Sequence, residues 1–200
     1  MTLSYFLLPI LGYLFGSLPF SIWVIHYVKH VDVRDSGSGH ATTTNTIRQA
    51  GFGWGALVLV LDIGKGFLPT YFAVIQEGIP NYIIVLTATF AVIGHCWPVF
   101  AQFRGGMGLA TAGGTFLAVN PLVFFISLGL LILLVLVIRH SARAGVFTGI
   151  LIAPVLWLLN IRDLSFWVVL GAGIVIAVRF LIDWNRQYRE LWLDREKSSS

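Results

Sequence analysis

The chain alternates long apolar runs with short polar segments, and this alternation predicts its architecture. A helix needs about 20 apolar residues to cross the hydrocarbon core of a membrane. Most of the runs reach or approach that length, so we predict an all-α integral membrane bundle of about seven transmembrane helices. The fourth run is the weakest part of this count because it is short. The runs are Leu3–Val28, Trp54–Ile75, Tyr82–Trp97, Leu109–Val119, Leu122–Ile138, Val146–Leu159 and Ser165–Ile182.

The amino-acid composition also indicates a membrane protein. Of the 200 residues, 57% are hydrophobic and 11% are charged, and the mean hydropathy is +0.85, whereas soluble domains carry about a quarter charged residues. The single cysteine, Cys96, excludes an intramolecular disulfide and a cysteine-rich metal site. We expect one membrane domain over residues 1–200 with a polar tail at residues 183–200, no nucleic-acid partner, and neither a metal nor a cofactor.

The basic residues predict the orientation in the membrane. In this threading nearly all of them fall on one side, and only Arg162 falls in a loop on the other. Because cytoplasmic loops carry an excess of Lys and Arg, we place the N-terminus outside and the C-terminal tail in the cytoplasm. Met1–Ser4 carries no basic side chain, so we expect no cleaved signal peptide. The residues on the predicted inner side are Lys29, Arg34, Arg48, Arg104, Arg139, Arg143, Arg186, Arg189, Arg195 and Lys197.

The first polar stretch, Arg34–Arg48, is rich in hydroxyl groups and small residues. Proteins bind phosphate with several short hydrogen-bond donors and a cation. Ser38, Thr44, Asn45 and Arg48 supply both, and we interpret them as candidate phosphate ligands. The alternative is a solvated loop that leads into a helix capped by Ser or Thr. We favour function because loops of this length are uncommon unless they are functional.

The second polar stretch, Gly94–Thr111, ends in a cluster of glycines. Gly105, Gly106 and Gly108 allow the backbone to turn through positive φ and to present its N–H groups. A helix beginning directly after them would add its positive end, which is typical of an anion site. The alternative is that these small residues let membrane helices pack closely. His95, near the start of the stretch, is the best candidate for a base, although a lone histidine is more often structural.

Asp62 and Lys65 interrupt the second apolar run. They are three residues apart and therefore share one face of a helix. Ionisable groups at membrane depth usually face a bundle interior or a water-filled cavity. Two interpretations stay open: a self-neutralising pair in which Lys65 extends toward the cytoplasm, or a lysine that binds a substrate phosphate inside a cavity.

Three motifs, in order along the chain, resemble those of one family. Gly37–Asn45, followed by Arg48, is similar to G-S-G-N-I-G-A-T-N followed by an arginine. Asp62–Gly66 matches D-x-x-K-G, and Gly94–Thr111 is similar to G-H-x-F-P-V-F-x-x-F-K-G-G-K-G-V-A-T. The family is that of the bacterial acyl-phosphate:glycerol-3-phosphate acyltransferases (PlsY-like), integral-membrane enzymes that start phosphatidate synthesis. The resemblance covers nearly the whole chain.

Several positions depart from the family motifs. Met107 stands where the glycine motif has its second lysine, and Arg104 stands where it has the first. His40 replaces an asparagine, and Ala142 and Gly145 stand where serines are usual. A methionine cannot donate a hydrogen bond to a phosphate. A specialised paralogue therefore stays open beside the standard activity.

The resemblance implies transfer of a fatty acyl group from acyl phosphate to glycerol 3-phosphate, giving lysophosphatidate and phosphate at the bacterial plasma membrane. Acyl phosphate carries its own leaving group, so such a protein has only to hold two phosphates among membrane lipids and to orient one hydroxyl. The rival interpretation is a divergent paralogue that binds or transports a lipid or phosphate. We assign Ser38, Asn45, Arg48 and Lys65, with Thr44 nearby, to one phosphate, and Arg104, Gly105, Gly106 and Thr111 to the other.

Overall fold

The computed structural model describes residues 2–185, and the regular structure within that range is helical. Two short 3-10 helices, Val33–Asp35 and Val99–Ala101, lie in the two polar stretches. Residues 186–200, and with them most of the predicted tail, lie outside the described residues. The α-helices are α1 (Thr2–Gly16), α2 (Phe20–Lys29), α3 (Thr43–Ala50), α4 (Phe52–Val74), α5 (Asn81–Cys96), α6 (Leu109–Val119), α7 (Pro121–Ile138), α8 (Ser141–Leu158) and α9 (Leu164–Ile182).

The prediction of an all-α, multi-pass membrane bundle is confirmed. Within residues 2–185, six segments are long and apolar enough to cross a membrane, and α6 is a shorter apolar helix. The seven predicted runs therefore correspond to six long segments and one short one. The six are Tyr5–Lys29, Phe52–Val74, Asn81–Ala101, Pro121–Ile138, Ser141–Leu158 and Leu164–Ile182.

The first predicted run is divided into two helices. The helix α1 ends at Gly16, and α2 begins at Phe20, directly after Pro19. A proline lacks the N–H that would continue the helical hydrogen bonds, and it disfavours helical geometry in the residue before it. The divided run still brings the backbone of Leu18 into the interior, where its carbonyl accepts a hydrogen bond from the Lys65 ammonium at 2.8 Å.

The first polar stretch contains both a loop and a helix. The Oγ1 atom of Thr42 accepts the N–H of Asn45 at 3.2 Å, which caps the N-terminus of α3. The capped helix that we considered as an alternative therefore exists. It occupies only the second half of the stretch, and the irregular segment from Ser36 to Ala41 precedes it.

Glycines set the close packing of α4 against α6. A Cβ atom at Gly66 would collide with the carbonyl oxygen of Thr111, and one at Gly114 would collide with that of Ile63. Because glycine lacks Cβ, the two backbones approach more closely than other residues permit. Close packing through small residues, which we considered for Gly105, Gly106 and Gly108, thus also occurs at two other glycines in the α4–α6 contact.

The two polar stretches meet at the same end of the bundle, as the threading predicted. The guanidinium Nη1 of Arg34 donates to the carbonyl oxygen of Ala101 at 2.9 Å. The largest apolar core lies among α5, α6, α8 and α9, with Val92, Ile152 and Val169 buried within it. This core supports one side of the region in which the polar stretches converge.

Candidate functional site

A cavity of about 460 Å³ lies where the first polar stretch, α4, the end of α5 and α7 converge. Its polar groups come mainly from the first polar stretch. The rest of its wall is apolar, and the contributions of α7 recur every three or four residues, which places them on one face of that helix. The polar lining residues are Ser38, His40, Thr42, Thr43, Thr44, Arg48, Asp62, His95 and Ser141; apolar ones include Leu59, Ile63, Phe124, Leu128, Leu131 and Val135.

Arg48 is the predicted ligand that the structure places most clearly at the cavity. Its Nε and Nη2 atoms are buried and make no hydrogen bond to any of the described residues. A buried guanidinium N–H without an acceptor is costly, because its desolvation is not compensated. Arg48 lies in the last turn of α3 and lines the cavity, so an anion in the cavity would supply the missing acceptor.

Three hydroxyl groups accompany Arg48. The Oγ of Ser38 and the Oγ1 of Thr43 are buried and have no hydrogen-bond partner among residues 2–185. Thr44 also lines the cavity, and its residue is exposed. Ser38 and Thr44 were predicted from the sequence, whereas Thr43 was not. Its signal was its place in a run of three threonines, of which only the middle one, on the first turn of α3, has a buried hydroxyl without a partner.

Asn45, a predicted phosphate ligand, has its side-chain amide engaged within the loop. The side chain is fully buried, and its Nδ2 donates to the carbonyl oxygens of Val33, Ser36 and His40 at 2.7, 3.1 and 3.1 Å. Its Oδ1 accepts the N–H of Ser38 at 3.4 Å. Asn45 is not among the residues that line the cavity. It holds Ser38 in place and thereby acts on the site indirectly.

Lys65 is also engaged within the protein. Its ammonium lies 2.9 Å from Asp62 Oδ1 and donates to the Leu18 carbonyl, and both charged side chains are buried. Asp62 lines the cavity, whereas Lys65 does not. The geometry favours the self-neutralising pair over a lysine that is available to a substrate. The Lys65 ammonium and the Asp62 carboxyl thus compensate each other's burial at the cavity wall.

His95 lines the cavity from the last turn of α5. Its Nδ1 lies 3.7 Å from Asp62 Oδ1, which is too far for a hydrogen bond, and it has no hydrogen-bond partner among the described residues. A Cβ at Gly106 would collide with His95 Nε2, so the backbone of Gly106 packs closely against that edge of the ring. His95 is therefore a buried imidazole beside a carboxylate at the cavity wall.

The glycine segment, residues 104–111, contributes less to the cavity than the sequence predicted. Gly105 and Gly106 are buried and do not line it; the N–H of Gly106 donates to the carbonyl oxygen of His95 at 3.1 Å. Arg104 is exposed and lies away from the lining. Thr111 is buried, and its hydroxyl has no partner in the described range, but it does not line the cavity. The assignment of a second phosphate to this segment stays a prediction.

Four residues of the glycine segment line the cavity: Met107, Gly108, Leu109 and Ala110. Met107 is almost fully buried, with 8% of its surface exposed. The position at which the family motif has a lysine therefore faces the site, and a thioether occupies it. Any charge that a lysine would supply is absent from this wall.

A cluster of charged side chains behind the polar end of the cavity was not predicted from the sequence. His40 Nε2 lies 2.7 Å from Asp183 Oδ2, and Arg179 Nη2 lies 3.1 Å from His40 Nδ1. Arg179 Nε also donates to the carbonyl oxygen of Gly106 at 3.1 Å. The available signal was Arg179 itself, a charged residue within an apolar run that we took only as a membrane span.

Outside the cavity, Asp32 and Arg34 form a second link between the polar stretches. The Arg34 guanidinium lies 2.6 Å from Asp32 Oδ2 and donates to the Ala101 carbonyl. Its hydrogen bond holds the pKa of the Asp32 carboxyl below the ordinary value, and the same contact raises the pKa of Arg34. The pair is partly solvated, so this link is weaker than the buried ones.

Comparisons with known proteins agree with this architecture. A family model described as glycerol-3-phosphate acyltransferase matches residues 6–191. The chain is 35% identical to a glycerol-3-phosphate acyltransferase of Listeria welshimeri, over 75% of this chain and 76% of that protein. It is 37% identical to one of Rubrobacter xylanophilus, over 85% of each. Among solved structures, it is similar to PlsY (YgiH), an integral membrane glycerol 3-phosphate acyltransferase, in the glycerol 3-phosphate form: the TM-score is 0.79 at 35% identity, over 92% of this chain and 91% of that one.

Proposed function

We propose that this chain, which belongs to the glycerol-3-phosphate acyltransferase family, transfers a fatty acyl group from an acyl phosphate to glycerol 3-phosphate. Its family makes it a membrane acyltransferase of phospholipid synthesis. Our proposal adds the acyl phosphate donor and the roles of individual residues. The products are 1-acylglycerol 3-phosphate and inorganic phosphate.

The observation that carries the proposal is that Arg48 Nε and Nη2 are buried without an acceptor among residues 2–185, at the polar end of a cavity whose remaining wall is largely apolar. A phosphate beside Arg48, Ser38 and Thr43 would satisfy all of these donors. The apolar face of α7 runs from Phe124 to Val135, about 16 Å along the helix axis, and suits an acyl chain. A polar head and an apolar tail thus have matching surroundings.

The reaction requires no nucleophile from the protein. The acceptor hydroxyl oxygen attacks the acyl carbonyl carbon, the bond between that carbon and the phosphate oxygen breaks, and phosphate leaves with the electron pair. Holding the two substrates in reacting geometry can supply ~7–11 kcal/mol of the barrier. We assign the hydroxyl proton to His95 or to a substrate phosphate oxygen. Asp62, 3.7 Å from His95 Nδ1, would stabilise the ring after it gains that proton.

In this proposal Asn45, Lys65 and Gly106 support the site without contacting the phosphate. Asn45 holds the N–H of Ser38, and Lys65 pairs with Asp62. Gly106 lets the backbone lie against the ring of His95. Direct phosphate contacts are proposed for Ser38, Thr43 and Arg48, and for Thr44 at the exposed rim.

The test is phosphate release by the purified protein in detergent, with palmitoyl phosphate as donor. We expect release together with formation of 1-palmitoylglycerol 3-phosphate, and only when glycerol 3-phosphate is present. Glycerol is the matched acceptor control, because it offers the same hydroxyls without the phosphate. Absence of both products in folded protein would refute the proposal. Saturable binding of glycerol 3-phosphate without turnover would then favour a binding or transport role.

We further propose that the polar stretches lie in the cytoplasm and that the N-terminus lies outside, because the basic residues cluster at one end of the bundle. Cys96 is buried, so single cysteines at exposed positions report on sidedness. In intact bacteria, Ser36→Cys and Gln102→Cys should resist an impermeant thiol reagent, and Glu77→Cys should react. The reverse pattern would invert the topology.

A further inference from the structure

The imidazole of His40 is held from both sides by α9 and the turn that follows it. Nδ1 lies 3.1 Å from Arg179 Nη2, and Nε2 lies 2.7 Å from Asp183 Oδ2. A guanidinium has donors only, so Nδ1 must be the acceptor in the first contact. The ring proton therefore resides on Nε2 and is donated to the carboxylate. His40 is a neutral imidazole whose tautomer is fixed by its two neighbours.

Arg179 extends the same cluster to the glycine segment. Its Nε donates to the Gly106 carbonyl at 3.1 Å, and its Nη1 lies 3.6 Å from Asp183 Oδ2. Both side chains are buried, with 8% and 7% exposed. The Arg179 guanidinium therefore contacts the Asp183 carboxylate directly after α9, the glycine segment, and the loop that carries His40.

Three chain segments are thus joined directly behind the polar end of the cavity. His40 lines the cavity, and Ser38, whose hydroxyl lacks a partner in the described range, lies two residues away. A Cβ at Gly106 would collide with the carbonyl oxygen of Ala41, so the loop and the glycine segment are also in backbone contact. The position of residues 36–41, which we call the Ser38 loop, therefore depends on the contacts that hold these segments together.

We propose that His40, Arg179 and Asp183 form a positioning cluster that fixes the Ser38 loop against the glycine segment and so pre-organises the polar end of the cavity. The inference rests on the proposed function for its effect on catalysis. Both nitrogens of His40 are engaged by protein groups, which leaves neither as the acceptor of a substrate proton. The imidazole acts through its attachment to the loop: the His40 side chain is part of the loop, and its ring joins the loop to Arg179 and Asp183 by hydrogen bonds.

The first test measures the loop without substrate. Amide hydrogen exchange reports on the hydrogen bonds that close the junction, among them Gly39 to Ser36, Thr42 to His40 and Gly106 to His95. In His40→Phe the ring volume is kept but both polar contacts are lost, and we expect exchange at these amides to rise by about tenfold or more. In His40→Gln the side-chain amide can accept from Arg179 and donate to Asp183, so exchange should stay near that of the parent protein.

A matched control separates the cluster from the cavity itself. Arg48→Ala removes a charge at the cavity wall without touching His40, Arg179 or Asp183, so exchange at Gly39, Thr42 and Gly106 should not change. Unaltered exchange in His40→Phe would overturn the proposal. If the expected exchange pattern is found in a protein that shows no acyl transfer, the proposed function fails and the positioning cluster stands.

The second test uses turnover and chemical rescue. The KM for glycerol 3-phosphate should rise about fivefold or more in His40→Phe and His40→Ala, and should recover in His40→Gln. Free imidazole should not restore His40→Ala, because a ring that is not attached to the loop cannot hold it. Recovery with free imidazole would give the ring a chemical role and overturn the proposal. Should His40→Phe fail to fold, His40→Ala measured with and without imidazole gives the same decision.

Discussion

The polar segment of residues 36–48 and the glycine segment of residues 104–111 border the same cavity, yet they contribute to it in opposite ways. The polar segment brings side chains whose groups have no partner among the described residues, chiefly Arg48, Ser38 and Thr43. In the glycine segment, the N–H and carbonyl of Gly106 are both engaged within the protein, and Met107 adds an apolar surface.

This difference bears on when a glycine-rich turn before a helix can form an anion site. Its N–H groups must be unengaged and must face the ligand. At Gly106 the N–H is bonded to the carbonyl of His95, and the absent Cβ serves close packing. Of the described residues that line the cavity, Arg48 is the one with a permanent positive charge. We therefore expect recognition of phosphate in this chain to depend mainly on the polar segment.

Arg48→Ala should show the largest effect, because it removes the charge on which this asymmetry depends. The loss of a charge-assisted contact is worth ~1.5–3 kcal/mol, so the KM for glycerol 3-phosphate should rise by about tenfold or more. The KM of Arg48→Lys, which keeps the charge but not the planar donor pair, should lie between those of the parent protein and Arg48→Ala. The KM is measured by steady-state kinetics in detergent. An unchanged KM in folded Arg48→Ala would favour the alternative interpretation, in which the polar segment is a loop before a capped helix without a binding role.

Gly106→Ala tests whether the glycine segment is a packing joint. The new Cβ would collide with His95 Nε2 and the Ala41 carbonyl, and overpacking of this kind costs about 1–3 kcal/mol. We expect a lower thermal unfolding temperature and reduced turnover. Gly64→Ala is the matched control, because a Cβ at Gly64 on α4 meets nothing within 4 Å. Equal unfolding temperatures for the two variants would contradict the packing role.

Met107→Lys would make the two segments more alike. An ammonium on this wall would add a donor for phosphate, but burying it has its own desolvation cost, so we expect a modest rise in turnover of about twofold to fivefold. Met107→Glu should lower turnover, because it places a like charge beside the substrate phosphate. Phosphate release from palmitoyl phosphate at equal folded concentration is the measurement. A fall in both variants would mean that the wall is shaped for an apolar contact.

The sequence predicted the parts of this molecule that depend on local composition. Apolar runs located the membrane segments, and the density of hydroxyls and Arg48 marked the polar segment. The engagement of each group was not predictable, because it depends on partners far along the chain. The Asn45 side chain donates to the carbonyl oxygens of Val33, Ser36 and His40, and Lys65 donates to that of Leu18. A polar residue in a motif can bind a ligand or build the loop, and its composition does not distinguish the two.

The same limit explains why Arg179 was not recognised from the sequence. It is 139 residues away from His40, and no motif joins the two. A charged residue in an apolar run indicates that the helix faces something polar. It does not indicate which loop. The three-dimensional meeting of α9, the Ser38 loop and Gly106 supplies that information.

The smallest expected effect concerns Asp32, whose pair with Arg34 lies outside the cavity, where the two polar stretches meet. The Arg34 hydrogen bond lowers the pKa of Asp32 in the folded protein, so the stabilisation is present above the ordinary pKa of an aspartate. It is lost as the pH falls through the lowered pKa. A partly solvated pair contributes at most about 1 kcal/mol, so Asp32→Asn should lower the unfolding temperature by only a few degrees at neutral pH.

The pH dependence separates this link from a general effect of charge. The difference in unfolding temperature between Asp32→Asn and the parent protein should shrink as the pH is lowered below about 4, because protonation then stabilises the unfolded parent chain and reaches the folded carboxyl only below its lowered pKa. Asp35→Asn removes the same charge from an exposed neighbour and should show a smaller difference at neutral pH. A difference for Asp32→Asn that does not vary with pH would mean that the asparagine disturbs the hydrogen bond from the Arg34 N–H to the Asp32 side chain rather than the ion pair. The joining of the segments would then rest on the Arg34 hydrogen bond to Ala101 and on the buried cluster around His40.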